Sequence, residues 1–177
     1  SIETAGRNER YAFFSELAEK TGATKIAVGH HEDDQAETVL MHLLRGGGVS
    51  GAGAMKAQNG LIIRPLLCVP HQDILAALKE ANLPWRVDES NESREYLRNR
   101  IRHDIMPLLK NINPQVTAAL NRFAFISRQE NTYMENEAVK QLELAGRRNE
   151  RGLYLDIPAL TDLHEALQRR VVRLAVQ

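Results

Sequence analysis

The segment from Ile26 to Gly53 constrains the fold more than any other part of the chain. A short apolar run, Ile26 to Val28, predicts a buried strand that ends at Gly29, and polar residues follow at once. The next residues, from Asp34 to about Arg45, predict a helix, and three consecutive glycines come after it. Strand, polar turn, helix and glycine-rich loop is the order typical of an open parallel sheet, which binds its ligands at the carboxyl ends of its strands.

The rest of the chain reads as an α/β half followed by a helical half. The apolar spacing predicts helices over 3–20, 70–82, 96–110, 114–145 and 161–176, strands over 25–28, 61–67 and 152–157, and a loop over 46–60. Residues 84–87 are expected to form a short edge segment, and residues 88–91 a turn, with Asn91 or Ser93 capping the next helix. We therefore expect part of a doubly wound parallel sheet in residues 1–107 and a mostly helical domain in residues 108–177. A helix that leads into such a strand suggests an earlier strand before Ser1, so the chain is expected to be part of a longer protein.

Composition excludes several classes. The formal net charge of the 177 residues is +0, so any basic surface must be local. No apolar run approaches the roughly 20 residues that a membrane span needs. The single cysteine, Cys68, excludes an internal disulfide and favours a reducing, cytoplasmic location. Because Cys68 lies within the apolar run Leu66 to Val69, it is expected in the core rather than as a reactive thiol.

The polar turn His30-His31-Glu32-Asp33-Asp34 has two explanations that the residues leave open. Asp34 at a helix start with Glu37 three residues later is typical of a capping box, but that leaves both histidines and Asp33 unexplained. Alternatively, Asp33 and Asp34 bind Mg²⁺, which needs only one or two carboxylates when substrate phosphates supply the other ligands. No cysteine or histidine pair has the spacing of a closed zinc site.

The predicted helix after this turn carries further polar residues. Asp33 and Glu37 lie four residues apart, as do Asp34 and Thr38, so each pair shares a helix face. Arg45 precedes Gly46-Gly47-Gly48, where the backbone can approach a ligand closely. Arg45 is therefore either a ligand contact or a cation favoured by the helix dipole.

A local basic surplus follows in residues 94–128. Seven lysines and arginines stand there against two acids, a surplus of 7 − 2 = +5. Arg94, Arg98 and Arg102 recur every four residues, so on a helix they would share one face. That face would either follow a nucleic-acid backbone or be an ordinary solvated surface.

Six motifs in one order resemble the tRNA(Ile)-lysidine synthetases, which belong to the N-type ATP pyrophosphatases. They are His30-His31-x-Asp33-Asp34-x-x-Glu37-Thr38, Arg45-Gly46-x-Gly48, Arg64-Pro65-Leu66, Asp88-x-Ser90-Asn91, Arg98-Asn99-x-Ile101-Arg102, and Pro107 with Asn113-Pro114. The resemblance extends from Glu3 to about Pro114 and continues more loosely through the helical half. It implies a doubly wound, Rossmann-like sheet and an ATP-dependent carbon–nitrogen ligase.

The resemblance also implies a reaction and its partners. ATP adenylates the C2 carbonyl of the wobble cytidine in a tRNA(Ile) with a CAU anticodon, and the amine of free L-lysine then displaces AMP to give lysidine. ATP and Mg²⁺ are the implied cofactors, no membrane is involved, and a homodimer is allowed.

Roles follow for individual residues by the same resemblance. The resemblance implies that Asp33, Asp34, Glu37 and Arg45 are catalytic. It also implies that Asp33 and Asp34 bind Mg²⁺. The implied ATP or lysine contacts are His30, His31, Thr38, Gly46, Gly48 and Arg64. The implied tRNA contacts are Arg94, Arg98, Asn99, Arg102, Arg122 and Arg128.

One departure from the family limits what these residues are expected to do alone. The pyrophosphate-binding loop of the family, Ser-Gly-Gly-x-Asp-Ser, does not occur in the 177 residues, so we expect no ligase activity from this chain by itself. Three other functions stay open: a related tRNA thiolase, which the lone Cys68 disfavours; a metal-dependent phosphohydrolase, which lacks further ligands; and a non-catalytic RNA-binding module.

Overall fold

A computed structural model describes residues 2–86, 94, 96–150 and 152–176 of the chain. The contacts divide it into two compact units, Ser1–Ala124 and Phe125–Gln177, and each is described by itself. These units are defined by contacts, and the domain boundary predicted near residue 107 stays a prediction. Residues 101–112 belong to the first unit.

The first unit is built mainly from helices around a small sheet. Its elements are α1 (Ile2–Thr21), β1 (Ile26–Ala27), α2 (Glu32–Leu44), α3 (Gly48–Ala52), β2 (Gln58–Asn59), β3 (Ile62–Ile63), α4 (His71–Glu80), α5 (Leu97–Arg100), a π-helical segment (Ile101–Ile105), α6 (Met106–Ile112) and the start of α7 (Val116–Ala145).

The sheet has the order β1-β3-β2. Strands β1 and β3 are parallel, with Ile26 opposite Ile62, which confirms the parallel pairing expected from the sequence. Strand β2 runs antiparallel to β3 and was not predicted. The predicted strand over 61–67 is too long, because Pro65 has no N–H to donate and the chain turns after Ile63.

Other expectations need correction in the same unit. The predicted loop 46–60 contains both α3 and β2, whose small and polar residues give no apolar period. Cys68 is exposed, so its placement in the core was wrong. Residues 84–86 form no strand, and the expected turn and caps over 88–93 lie outside the described residues.

The core of this unit joins the helix after the polar turn to the arginine-rich segment. Ala36 of α2 packs with Ile101 and Met106, all at most 5% exposed. The helix predicted over 96–110 is divided in the structure into three consecutive pieces: α5, the π-helical segment and α6. Pro107 explains the irregularity, because it cannot donate to the carbonyl of His103 as a regular helix requires.

The second unit contains the rest of α7, a hairpin and two helices. Strands β4 (Gly146–Asn149) and β5 (Gly152–Leu155) pair antiparallel, followed by α8 (Ile157–Thr161) and α9 (Glu165–Ala175). The polar strand β4 was missed, and a Cβ at Gly146 would lie 2.5 Å from the carbonyl oxygen of Leu142, so this corner requires glycine. Among the described residues, no helix has the length and apolar character needed to cross a membrane.

Candidate active-site cleft

The polar turn forms the N-terminus of α2 and caps it. The backbone N–H of Asp34 donates to Nδ1 of His31 (3.4 Å), and the backbone N–H of His31 donates to Oδ2 of Asp34 (3.0 Å). The capping box therefore pairs His31 with Asp34, and the prediction that Asp34 begins the helix and pairs with Glu37 was wrong. This arrangement leaves the carboxylate of Glu37 available for other partners.

Glu37 and Asp34 are paired with two arginines in what we call the four-charge cluster. Arg102 donates from Nε to Oε1 of Glu37 (2.7 Å) and from Nη2 to Oδ1 of Asp34 (2.8 Å). Arg98 donates from Nε to Oε2 of Glu37 (3.1 Å) and from Nη2 to Oδ1 of Asp34 (3.0 Å). Glu37 is 2% exposed and Asp34 8%. Two cations and two anions thus neutralise one another in a largely buried place.

The cluster gives two arginines of the basic segment partners that the sequence did not indicate. Arg98 and Arg102 point at α2 and pair with its carboxylates, and their side chains are 23% and 30% exposed. Hydrogen bonding to Glu37 raises the pKa of Arg102 above its ordinary value, and burial opposes this rise. Arg94 pairs instead with Asp104 on the surface (3.3 Å). The assignment of Arg94, Arg98 and Arg102 to tRNA stays a prediction.

A cleft of about 670 Å³ lies beside the cluster. Its lining consists of His31, Glu32, Asp33, Glu37, Pro70, His71, Gln72, Arg102, Met106, Lys110, Pro114, Gln115, Thr117 and Ala118. Three of these residues, Glu32, Asp33 and Glu37, are acids that we call the acidic wall, and two, Arg102 and Lys110, are cations. The cleft brings together the N-termini of α2 and α4 with α6, and it is a polar site.

Asp33, unlike Glu37, pairs with no arginine among the described residues. Its Oδ2 accepts the backbone N–H of His71 (3.2 Å), and its Oδ1 lies 3.3 Å from the ammonium nitrogen of Lys110. Burial would raise the pKa of Asp33, but the His71 N–H and Lys110 together lower it below its ordinary value. Asp33 is therefore ionised at neutral pH.

His31 and His71 line the same cleft as Asp33. Their rings stack with centroids 4.9 Å apart. Burial lowers the pKa of His31, an effect that outweighs the attraction of Asp34 for the protonated ring. A neutral ring also suits the capping geometry, because Nδ1 must be unprotonated to accept the N–H of Asp34.

Comparison with known proteins identifies the family. A family model described as a PP-loop domain, ATP_bind_3, matches residues 1–109. The chain belongs to the PP-loop family. A tRNA(Ile)-lysidine synthase of Parabacteroides distasonis is 42% identical over 172 residues, which cover 95% of this chain and 39% of that relative. One of Geobacillus kaustophilus is 38% identical, covering 97% and 38%. The predicted resemblance is confirmed, and the chain spans about two fifths of the length of these relatives.

A solved structure supports the PP-loop fold. The U34-tRNA thiolase NcsA from Methanococcus maripaludis, with its [4Fe-4S] cluster, superposes with a TM-score of 0.55 over 72% of this chain and 44% of that chain. Its sequence is 19% identical, so the likeness concerns the fold alone.

In this part of the PP-loop domain, the two carboxylates assigned to magnesium are engaged by other groups. Both oxygens of Asp34 already accept hydrogen bonds, and Asp33 faces Lys110. Within the described ranges, no group of three His, Cys, Asp or Glu side chains is placed to hold a metal ion. The assignment of Mg²⁺ to Asp33 and Asp34 stays a prediction, and we derive no step through the metal.

Several predicted site residues lie outside the cleft lining. Thr38 donates to the carbonyl of Asp34 within α2 (2.7 Å). Arg45 is exposed at the end of α2, and Gly46 and Gly48 follow with φ of 72° and 55°, conformations that favour glycine. The remaining predicted residues are likewise absent from the lining: His30, Asp34, Arg64, Arg94, Arg98, buried Asn99, exposed Arg122, and Arg128 in the second unit.

Sequence reasoning missed His71 and Lys110. His71 opens the helix that follows strand β3, the parallel neighbour of β1, so the rule that ligands bind at the carboxyl ends of adjacent strands could have pointed to it. Lys110 was counted only as part of the basic surplus. Its pairing with Asp33, 77 residues away, has no local pattern.

The His31 cap predicts a pH dependence of stability. Because the pKa of His31 is lowered in the folded chain, the unfolded chain, whose His31 titrates near 6.5, takes up this proton at a higher pH, so the unfolded state binds more protons as the pH falls. Between pH 7.5 and 5.5 we expect the wild-type free energy of unfolding to fall by up to about 1 kcal/mol more than that of His31→Asn, which caps without titrating. Chemical denaturation at both pH values measures the difference, with His103→Asn as the control. An equal fall in wild type and His31→Asn contradicts the assignment.

Proposed function

We propose that this chain is part of an ATP-dependent tRNA-modifying ligase that forms lysidine. In the first step the C2 carbonyl oxygen of the wobble cytidine in tRNA(Ile) attacks the α-phosphorus of ATP, and diphosphate leaves. In the second step the amine of L-lysine attacks C2, and AMP leaves. Similarity to the lysidine synthases supports this reaction, since it runs over 95% and 97% of the chain in two relatives.

The contact between Asp33 and Lys110 carries the proposal for the amine. The carboxylate of Asp33 already holds an alkylammonium group inside the cleft, at 3.3 Å. The Lys110 side chain is 47% exposed, so a free lysine can displace it at little cost. A primary amine is therefore the kind of substrate that this cleft accepts.

The same residue is a poor candidate for removing a proton from the amine. A carboxylate whose pKa lies below its ordinary value is a weak base at neutral pH. We assign Asp33 to binding and orientation, with Glu32 and Glu37 completing the acidic wall. Asp34 acts through the four-charge cluster, which fixes Glu37 at the cleft.

Contact with tRNA is proposed for cations that are not used internally. Arg100 and Arg122 are exposed and form no ion pair with any described residue. Arg98 and Arg102 serve the four-charge cluster, which argues against a purely RNA-binding module built on this segment. A cytoplasmic location and a homodimer stay predictions.

A mass-spectrometric lysidine assay tests the proposal. Unmodified tRNA(Ile) with a CAU anticodon is incubated with ATP, Mg²⁺ and lysine, using either the full-length gene product or the 177-residue chain. We expect lysidine from the full-length product only, because the chain lacks the Ser-Gly-Gly-x-Asp-Ser loop. The same tRNA with a GAU anticodon is the control. Failure of the full-length product to form lysidine would overturn the proposed reaction.

A further inference from the structure

A second cleft of about 400 Å³ lies away from the acidic one, between α1 and the β2–β3 hairpin. Its lining consists of Tyr11, Ser15, Asn59, Leu61, Ile62 and Arg64, and it shares no residue with the first cleft. The described lining contains one cation, two hydroxyl groups and one amide, and no acid. This composition is the opposite of the acidic wall around Asp33.

Arg64 is buried at this cleft without a compensating charge. The residue is 7% exposed and makes no ion pair with any described residue. Its Nη1 donates to the carbonyl of Lys56 (2.8 Å), and its Nη2 makes only a long contact to the hydroxyl of Tyr11 (3.5 Å). Its Nε is buried and has no hydrogen-bond partner among the described residues.

Burial of a guanidinium group without a counter-charge destabilises the folded state. Arginine is always charged and carries five N–H donors, of which only two have partners here. Burying a charge without an opposite charge costs several kcal/mol, so buried charges are normally paired or bound to a ligand. Packing against α1 alone does not account for an arginine at this position, because an apolar side chain would fill the space without that cost.

We propose that the Arg64 cleft is an anion site that binds a phosphate group. A guanidinium group presents parallel N–H donors that match the oxygens of a phosphate, and the hydroxyl group of Tyr11 lies beside it at the rim. The hydroxyl group of Ser15 already donates to the carbonyl of Tyr11 (3.1 Å) and does not serve as a donor to the anion. The anion supplies the missing counter-charge. The proposal rests on the proposed function only for the source of the phosphate, which is either ATP or the tRNA backbone.

Stabilisation of the full-length gene product by inorganic phosphate, measured at constant ionic strength, tests the site. A ligand that binds only the folded state raises the unfolding midpoint. We expect Arg64→Gln to weaken phosphate binding about tenfold or more, the effect of losing a charge-assisted contact. Lys79→Gln, which removes an exposed cation from α4, should behave as wild type. Equal phosphate effects in wild type and Arg64→Gln would overturn the site.

Two further variants decide the matter if Arg64→Gln does not fold. Arg64→Lys keeps the charge but loses the planar fork, and Tyr11→Phe removes only the hydroxyl group. Both should weaken phosphate binding without loss of cooperative unfolding, and unchanged binding in both contradicts the proposal.

Titrations with ATP and with a short RNA oligonucleotide distinguish the sources. Weaker ATP binding in Arg64→Gln with unchanged RNA binding assigns the site to the nucleotide, and the reverse assigns it to the RNA backbone. If neither changes, the site takes an adventitious ion only and the proposal falls. These readouts do not use lysidine formation, so the two proposals can fail separately. If Arg64→Gln binds phosphate more weakly than the wild type, but the wild type forms no lysidine, the proposed reaction is overturned and the anion site is not.

Discussion

Replacing Glu37 with alanine is expected to lower the free energy of unfolding by roughly 3 kcal/mol, because it leaves two partly buried arginines with one carboxylate between them. The Glu37 side chain is 3% exposed and accepts from both Arg98 and Arg102. Chemical denaturation of the wild type and the variant measures the loss.

A double-mutant cycle separates this cost from simple loss of packing. Arg102→Ala alone should also destabilise, but Glu37→Ala with Arg102→Ala should be less destabilised than the sum of the two, with a coupling of about 1 kcal/mol or more. Glu165→Ala, which breaks an exposed pair with Arg169 on α9, is the matched control and should change little. Additive effects of Glu37→Ala and Arg102→Ala would show that the cluster is not an energetic unit.

The local parts of the fold could be predicted because their determinants are local. An apolar run ending at Gly29 and an amphipathic period after it were sufficient for β1 and α2, and the long helix over 114–145 agrees with α7 within two residues at its start. Strand β4 was missed because Arg147, Arg148 and Asn149 carry no apolar alternation. Its pairing is fixed by the register with β5 and by the close approach at Gly146.

The candidate site was predicted as a set of residues but not as an arrangement. Asp33, Asp34 and Glu37 were singled out from spacing on one helix, and Arg98 and Arg102 from spacing on another. Nothing in either periodicity indicates that Asp34 and Glu37 would meet the two arginines across 61 to 68 residues of chain. That contact depends on the packing of Ala36 against Ile101, which only the tertiary structure brings together.

This packing also divides the acids into two kinds. Asp34 and Glu37 both pair with Arg98 and Arg102, and Glu37 is held at the edge of the cleft by these pairs, whereas Asp33, next to Asp34 in sequence, lies in the cleft lining and pairs with no arginine among the described residues. Adjacent residues on a helix are about 100° apart around its axis, so a single position separates a structural carboxylate from one that can meet a substrate. The sequence pattern alone could not make that distinction.

Asp33→Asn in the full-length gene product is expected to raise the KM for lysine by about tenfold to a hundredfold, the range for losing one charged hydrogen bond. The substitution preserves shape, keeps one oxygen to accept the N–H of His71, and removes the charge and the second acceptor oxygen that attract the amine. Its effect on stability should be small, since the pair it breaks with Lys110 is partly exposed. Steady-state lysidine formation at varied lysine, ATP and Mg²⁺ concentrations makes the measurement.

The concentration dependence decides between the two roles that the sequence left open for this carboxylate. If Asp33 binds the amine, the KM for lysine rises while the Mg²⁺ dependence stays that of the wild type, and if Asp33 binds the metal, the Mg²⁺ requirement rises instead. Asp73→Asn, which removes an exposed carboxylate from α4, controls for the change in net charge and should leave both unchanged. Because Lys110 competes for the same carboxylate, Lys110→Met should lower the KM for lysine, a direction that a metal role does not predict.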